Sequence, residues 1–234
     1  MKLRFAKLVC VTLLLVMAAG YAGAAEPLVA LAFTRDGWNP AAWTLCKNPT
    51  VEHLGKWVQR DDCIENETPA DPAKKSALDQ TLTTMIYNTK FAGNWAATAS
   101  FEIGAGSAPG IVLVQDWAPD AQGRPQYGEF YEVIIYEKGL NLWHHFATPE
   151  GKRTWEKTCY GSFALQPDTR YTLQVRRKGK HVEMTVTLAV GHVPEERPQQ
   201  HVVGVLINSL PEELFLGVLG CEGVSRVYDF AVER

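Results

Sequence analysis

Residues 129–145 hold the densest set of side chains able to do chemistry: Glu129, Glu132, Tyr136, Asn141, Trp143, His144 and His145. A carboxylate touching an imidazole is the usual acid/base pair of a hydrolase, and the same pair also simply ties two strands together. Glu132 and His145 are the candidates for catalysis. Glu129 and Glu132 lie three residues apart, so on a regular strand they face opposite ways. Retaining glycosidases need two carboxylates about 5 Å apart on one side of the sugar, and this strand does not supply that pair by itself. His144 and His145 are adjacent and also alternate, which prevents them from sharing one metal ion. Trp117 beside Asp116 and Trp143 beside Asn141 combine a flat apolar ring with polar neighbours. That combination suits the apolar face and hydroxyls of a sugar ring, and a core tryptophan with a satisfied N–H has the same signature.

Other signals are excluded or weak. There is no G-x-S-x-G and no H-E-x-x-H in the chain, which removes two sequence-readable hydrolase sites. No C-x-x-C or H-x-x-x-H spacing points to zinc, the metal question is otherwise open, and no cofactor is expected. Gly104-Ala-Gly106-Ser-Ala-Pro-Gly110 has Pro109 where a dinucleotide fingerprint needs its third glycine, and β-rich sequence follows, so it reads as a turn between strands. Asn66-Glu67-Thr68 fits a glycosylation acceptor, a three-residue pattern that arises often by chance.

The elements that must position these residues are strands. Pro and Gly punctuate the chain every ten to fifteen residues, and short segments rich in Val, Ile, Thr, Tyr and Trp lie between them, the pattern of an all-β sandwich or barrel. Twelve strands are predicted: Trp43–Cys46, Trp57–Arg60, Thr81–Tyr87, Trp95–Glu102, Gly110–Trp117, Phe130–Glu137, Leu140–Phe146, Tyr171–Arg177, Val182–Leu188, Val202–Ile207, Leu214–Leu219 and Ser225–Val232. Two larger antiparallel sheets accommodate that number. Leu210-Pro211-Glu212-Glu213 reads as a single helical turn, and segments 66–76 and 192–200 read as exposed loops. A hairpin with one buried face runs from Tyr171 to Leu188 around Lys178-Gly179-Lys180.

A second hairpin runs from Phe130 to Phe146, turning at Lys138-Gly139. With a two-residue turn there, Glu132 stands directly opposite His145. One face then carries Tyr131, Val133, Ile135, Leu142, His144 and Phe146. The other carries Glu132, Ile134, Tyr136, Asn141, Trp143 and His145, the ingredients of a polar ligand site. A three-residue bulged loop would flip one strand relative to the other.

The first 25 residues read as a secretory signal peptide, with Lys2, Arg4 and Lys7, then an apolar run Leu8 to Ala19, then Ala22-Gly23-Ala24. The apolar run is too short to span a bilayer, so no membrane insertion is expected after cleavage, and residues 26–234 are expected to form one domain in a secreted or periplasmic protein. The chain holds 23 basic and 26 acidic residues, net −3. That balance argues against nucleic acid as a partner. The exported portion keeps Cys46, Cys63, Cys159 and Cys221, an even number that favours disulfides. Cys46 and Cys63 flank two short strands and a turn, which favours that bridge and leaves Cys159 for Cys221; free buried thiols are the alternative.

The order Gly110-Ile-Val-Leu-Val-Gln115, Tyr127-Gly-Glu129-Phe-Tyr-Glu132-Val-Ile-Ile-Tyr136, Pro167-Asp-Thr-Arg-Tyr171-Thr-Leu-Gln-Val175 with Gly179, Phe215-Leu-Gly217 and Val227-Tyr-Asp229-Phe-Ala-Val232 resembles bacterial secreted concanavalin A-like lectin/glucanase jelly rolls. Within them it is most similar to the 3-keto-disaccharide hydrolase domains. The resemblance covers roughly residues 33–234 and implies a two-sheet antiparallel jelly roll with a carbohydrate site on its concave face. It also implies that Gln115 and Glu132 line the cleft. Gln115 stands where the family usually has Arg, and the Asn-Gly expected after the Gly179 hairpin is missing.

The resulting expectation is a glycoside hydrolase acting on an oligosaccharide or keto-disaccharide. Glu132 and His145 would be catalytic, and Gln115, Trp117, Tyr136, Asn141 and Trp143 would bind substrate. A non-catalytic lectin-like module and a structural envelope or interaction domain are the alternatives.

Overall fold

The computed structural model describes residues 27–67, 82–189 and 200–234, which form an all-β, two-sheet antiparallel jelly roll. The signal peptide and most of both expected loops, 66–76 and 192–200, lie outside the described residues.

One sheet has eight strands. Its path runs β15 (Gln200–Leu206), β14 (His181–Leu188), β13 (Thr169–Lys178), β6 (Trp95–Ile103), β17 (Ser225–Glu233), β4 (Ile64–Asn66) and β3 (Trp57–Gln59), with β1 (Pro27–Ala32) also paired to β17. The other has seven strands, in the order β12 (Arg153–Ser162), β11 (Gly139–Ala147), β10 (Phe130–Tyr136), β7 (Gly110–Val114), β16 (Glu213–Gly220), β5 (Thr83–Ala92) and β2 (Trp43–Leu45). A small hairpin, β8 (Trp117–Pro119) with β9 (Pro125–Tyr127), stands apart. The predicted strand Gly110–Trp117 is therefore two elements, β7 and the start of β8, separated by a bend at Gln115. Leu210 to Glu213 makes no helix; the helical segment among the described residues is a three-residue 3-10 turn, Pro40–Ala42, whose Ala41 N–H donates to the side chain of Asn39.

Alternation builds the core between the sheets. Odd-numbered residues of β6 and β13 (Ala97, Ala99, Phe101; Leu173, Val175) meet Ile111, Leu113, Val133, Ile135, Leu140 and Leu142 from the seven-stranded sheet, all buried. The β13–β14 hairpin turns through Gly179-Lys180, with Lys178 opposite His181 and Gly179 at φ +60°. Gly104 to Gly110 is the turn between β6 and β7, as its sequence indicates. Asn66 is buried: its Oδ1 accepts from the Ser225 N–H at 2.6 Å and its Nδ2 donates to the Gly223 carbonyl at 3.0 Å, so the amide serves the fold rather than a glycan.

The β10–β11 hairpin differs from expectation by two residues. Tyr136 pairs with Gly139, so the turn is Glu137-Lys138, Glu132 stands opposite Trp143, and His145 opposite Phe130. Gly139 is needed in the strand rather than in the turn. Its φ is +134°, and a Cβ there would lie 2.0 Å from the Gly161 carbonyl of β12. A slip of two preserves parity, so both faces keep their predicted membership.

The structure joins neither expected cysteine pair, and Cys46, Cys63 and Cys159 carry free thiols. Cys159 is on β12 and Cys221 follows β16, four strand spacings away across the sheet. That is about 19 Å, against a limit of about 7 Å between bridged Cα atoms. Cys46 packs on the outer side of the seven-stranded sheet, whereas Cys63 sits in the β3–β4 hairpin of the other sheet. Sequence proximity across a hairpin does not imply spatial proximity when the chain changes sheets between the two residues.

Candidate functional site

The outer face of the seven-stranded sheet is read across its strands in rungs. One rung runs Phe215, Val114, Phe130, His145, Trp155; the next Gly217, Val112, Glu132, Trp143, Lys157; the third Leu219, Gly110, Ile134, Asn141, Tyr160. The middle of this face is roofed. Cys46, Val51 and Tyr127 pack with Ile86, Val112, Val114, Phe130 and Leu219 into a second apolar cluster. The roof is held by β9, where Lys47 N–H donates to the Pro125 carbonyl at 2.7 Å and Tyr127 N–H to the Lys47 carbonyl at 3.1 Å. The buried Lys47 ammonium donates to the Val51 carbonyl at 2.9 Å and lies 3.7 Å from Asp120. Burial works against the Asp120 carboxylate, but Arg124 and the N–H groups of Arg124 and Gln122 outweigh it and hold its pKa at about 2.

Glu132 lies where roof and open sheet meet, and is 7% exposed. Its Oε2 is 3.0 Å from His145 Nε2, and its Oε1 accepts from Asn48 Nδ2 at 3.2 Å. Asn48 Oδ1 in turn accepts from the N–H and hydroxyl of Thr50 at 2.9 and 2.8 Å. The expected Glu132–His145 contact exists, as a diagonal rather than a direct cross-strand pair. The His145 ring stacks on Phe130 (4.3 Å, 10°) and continues to Trp155 (6.4 Å, 29°). The depression beside His145, bounded by Asn48, Thr50, Phe146 and Arg153, has a volume of only about 10 Å³, room for one water molecule. The depression is too small to admit a sugar ring.

The open part of the face is the sheet edge. On β12, Trp155 is 57% exposed and Tyr160 67% exposed. The Lys157 ammonium sits 5.3 Å from the centre of the Trp143 ring and 5.4 Å from that of Tyr160. Sequence reasoning missed Trp155, Lys157 and Tyr160 because β12 itself was missed. Its residues lack apolar alternation, since an edge strand with a register shift near Thr158 buries little. Asn48 carries no local signal at all.

The remaining expected residues do not converge there. Gln115 continues β7 with the parity of Ile111 and Leu113, the other side of the sheet, and its N–H donates to the Glu129 carbonyl. Trp117 is on the β8–β9 hairpin, 37% exposed and without a ring contact among the described residues. Tyr136 packs against the roofed cluster. Asn141 shares the face but is buried, and its Oδ1 has no partner among the described residues. His144 faces the opposite way, with Nε2 2.8 Å from Glu129 and Nδ1 3.6 Å from Glu156, stacked on Tyr131 at 4.3 Å. A larger cavity of about 520 Å³ opens between the sheets beside Phe163, Tyr171, Val186 and His201, and none of the expected site residues lines it.

Comparison with known proteins places the architecture. The chain is similar to the carbohydrate-binding module CBM66 from Bacillus subtilis (11% identity, 82% of this chain and 96% of that one, TM-score 0.53). It is also similar to the Man3GlcNAc-bound lumenal domain of VIP36 (11%, 89% and 90%, TM-score 0.54) and to a β-1,3-glucanase from Mycobacterium marinum (12%, 90% and 99%, TM-score 0.51). No family model and no curated protein matches the sequence. These likenesses carry the concanavalin A-like jelly roll, and the resemblance noted in the sequence holds at that level.

Proposed function

We propose that this chain is an exported glycan-binding module of lectin type, whose binding surface is the β11–β12 edge of the seven-stranded sheet. The observation that carries the reading is the exposed aromatic row of Trp155 and Tyr160, contiguous with Trp143 and with the hydrogen-bonded Glu132–His145–Asn48 set. Exposed indole and phenol rings beside fixed polar groups offer stacking for the C–H face of a pyranose and hydrogen bonds for its hydroxyls. The similarity to carbohydrate-binding modules and lectins is consistent with it.

The hydrolase reading has two observations in its favour, the Glu132–His145 contact and, on the opposite face, His144 between Glu129 and Glu156. Against it, the face offers Glu132 as its carboxylate among the β10–β12 residues, and that group is buried and already paired twice. A two-carboxylate mechanism needs a partner about 5–9.5 Å away on the same face. Glu129 and Glu156 are on the other face, with His144.

The test is affinity electrophoresis and calorimetry of the mature chain against a panel of neutral and acidic oligosaccharides, with product analysis on the same mixtures. Binding without turnover is expected. Trp155→Ala should weaken it by about 1.5–2.5 kcal/mol, the value of roughly 60–100 Å² of apolar ring surface. Turnover abolished by Glu132→Gln would instead establish the hydrolase.

A further inference from the structure

On β12, Arg153, Trp155 and Lys157 occupy alternate positions and point to the same face, whereas Glu156, between them, is turned to His144 on the opposite side. Alternate residues on a strand are about 6.7 Å apart. A pyranose stacked on Trp155 is thus flanked along the strand by a guanidinium on one side and an ammonium on the other. Both cations are held in place by uncharged groups. Arg153 Nη1 donates to the Gly128 carbonyl at 2.8 Å, and Lys157 rests over the rings of Trp143 and Tyr160. Neither forms an ion pair among the described residues, unlike Arg226 with Glu65 and Glu102, or Arg177 with Glu212. The nearby carboxylate of this face, Glu132, is buried and hydrogen-bonded to His145 and Asn48. In a chain of net charge −3, this edge presents positive charge without neutralising it.

Building on the glycan-binding reading, we propose that the β12 platform selects anionic glycans, oligosaccharides whose rings carry a carboxylate or sulfate. Trp155 stacks the ring while Arg153 and Lys157 take its charge. A carboxylate one bond off a ring stacked on Trp155 meets a cation whichever way the chain runs along the strand, and charge-assisted bonds of about 2.7–2.9 Å become available at either side. Lys157 sits over the Trp143 indole, so Trp143 acts mainly by positioning the ammonium.

The experiment is calorimetric titration at low and high salt with acidic and neutral probes. The acidic probes are oligogalacturonate, alginate oligomers and a chondroitin sulfate hexasaccharide. The neutral ones are methyl-esterified oligogalacturonate, cellohexaose and laminarihexaose. The wild type should bind at least one acidic probe more tightly than every neutral one. Its preference should fall with salt, and the Arg153→Gln/Lys157→Gln double variant should lose roughly tenfold in affinity for it. Neutral binding should change by less than acidic binding in that variant, and Trp155→Ala should weaken both. Carboxylate and sulfate probes then tell which anion the site takes. Tighter or equal binding of a neutral probe, or an acidic preference that survives the double variant, overturns the anionic assignment and leaves the glycan reading standing. Failure of every probe to bind overturns both.

Discussion

Replacing Glu132 by Ala should destabilise the protein far more than it alters any surface property. Glu132 is 7% exposed and accepts from Asn48 Nδ2 at 3.2 Å while meeting His145 Nε2 at 3.0 Å. Truncation leaves the buried Asn48 amide and the half-buried His145 ring without their acceptor, in a setting lined by Phe130 and by the apolar roof. Hydrogen bonds to a charged group are worth about 1.5–3 kcal/mol each, and breaking a buried pair from one side costs about 3–5 kcal/mol. We expect about 3 kcal/mol for Glu132→Ala, a fall in Tm of about 6–12 °C for a domain of this size. Glu132→Gln keeps an acceptor for Asn48 and the same shape, and should cost about 1 kcal/mol. Urea unfolding of both variants and of Asn48→Ala measures this. A double-mutant cycle between positions 48 and 132 should give a coupling above about 1 kcal/mol. A Glu132→Ala stability within about 0.5 kcal/mol of wild type would refute the reasoning, because it would mean that the carboxylate neither anchors the roof nor orients His145.

Three further outcomes follow from the same geometry. Gly110→Ala places a Cβ 2.0 Å from the Val133 carbonyl and 2.9 Å from Ile134 Cα, in the middle of the sheet where neither can yield; thermal unfolding should show a loss of about 3 kcal/mol or more, and a neutral variant would contradict the packing. Asp120, with its folded pKa lowered to about 2, contributes stability that is complete above the ordinary carboxylate range near pH 4 and is lost as pH falls from there through 2. Asp120→Asn should remove that part of the acid dependence in pH-jump unfolding, and an unchanged acid limb would argue against the Lys47–Asp120–Arg124 arrangement. Mass analysis of the protein without reduction should find unbridged thiols at Cys46, Cys63 and Cys159, slow to alkylate in the native state because burial pushes the Cys63 thiol up to about 11 and those of Cys46 and Cys159 up as well. A Cys46–Cys63 bridged peptide would contradict it.

What the sequence makes legible depends on how much of an element is buried. The β13–β14 hairpin is plain from its alternation, because one face of each strand is in the core and Gly179 leaves one place to turn. β12 is invisible, because an edge strand carrying Arg153, Glu156 and Lys157 has no apolar period to report. The β10–β11 register is ambiguous because Gly139 looks like a turn residue, and its need for close approach to Gly161 arises only from the partner strand. Parity survives that error, so Glu132, Trp143 and His145 are found on one face. Gln115 is carried to the site by family resemblance, and strand alternation sends it to the other side. The roof segment around Asn48 and Val51 has no periodicity, and its contact with Glu132 spans 84 residues of chain, beyond what local pattern conveys.

The central claim, that glycans bind at the exposed β12 edge, is tested most directly by following the indole N–H resonances of the seven tryptophans during titration with the tightest-binding oligosaccharide. Large shifts are expected for Trp155, smaller ones for its neighbour Trp143, and none for Trp57 and Trp95, which are buried in the core between the sheets. Shifts confined to Trp117, or spread over the core tryptophans with Trp155 unmoved, would contradict it.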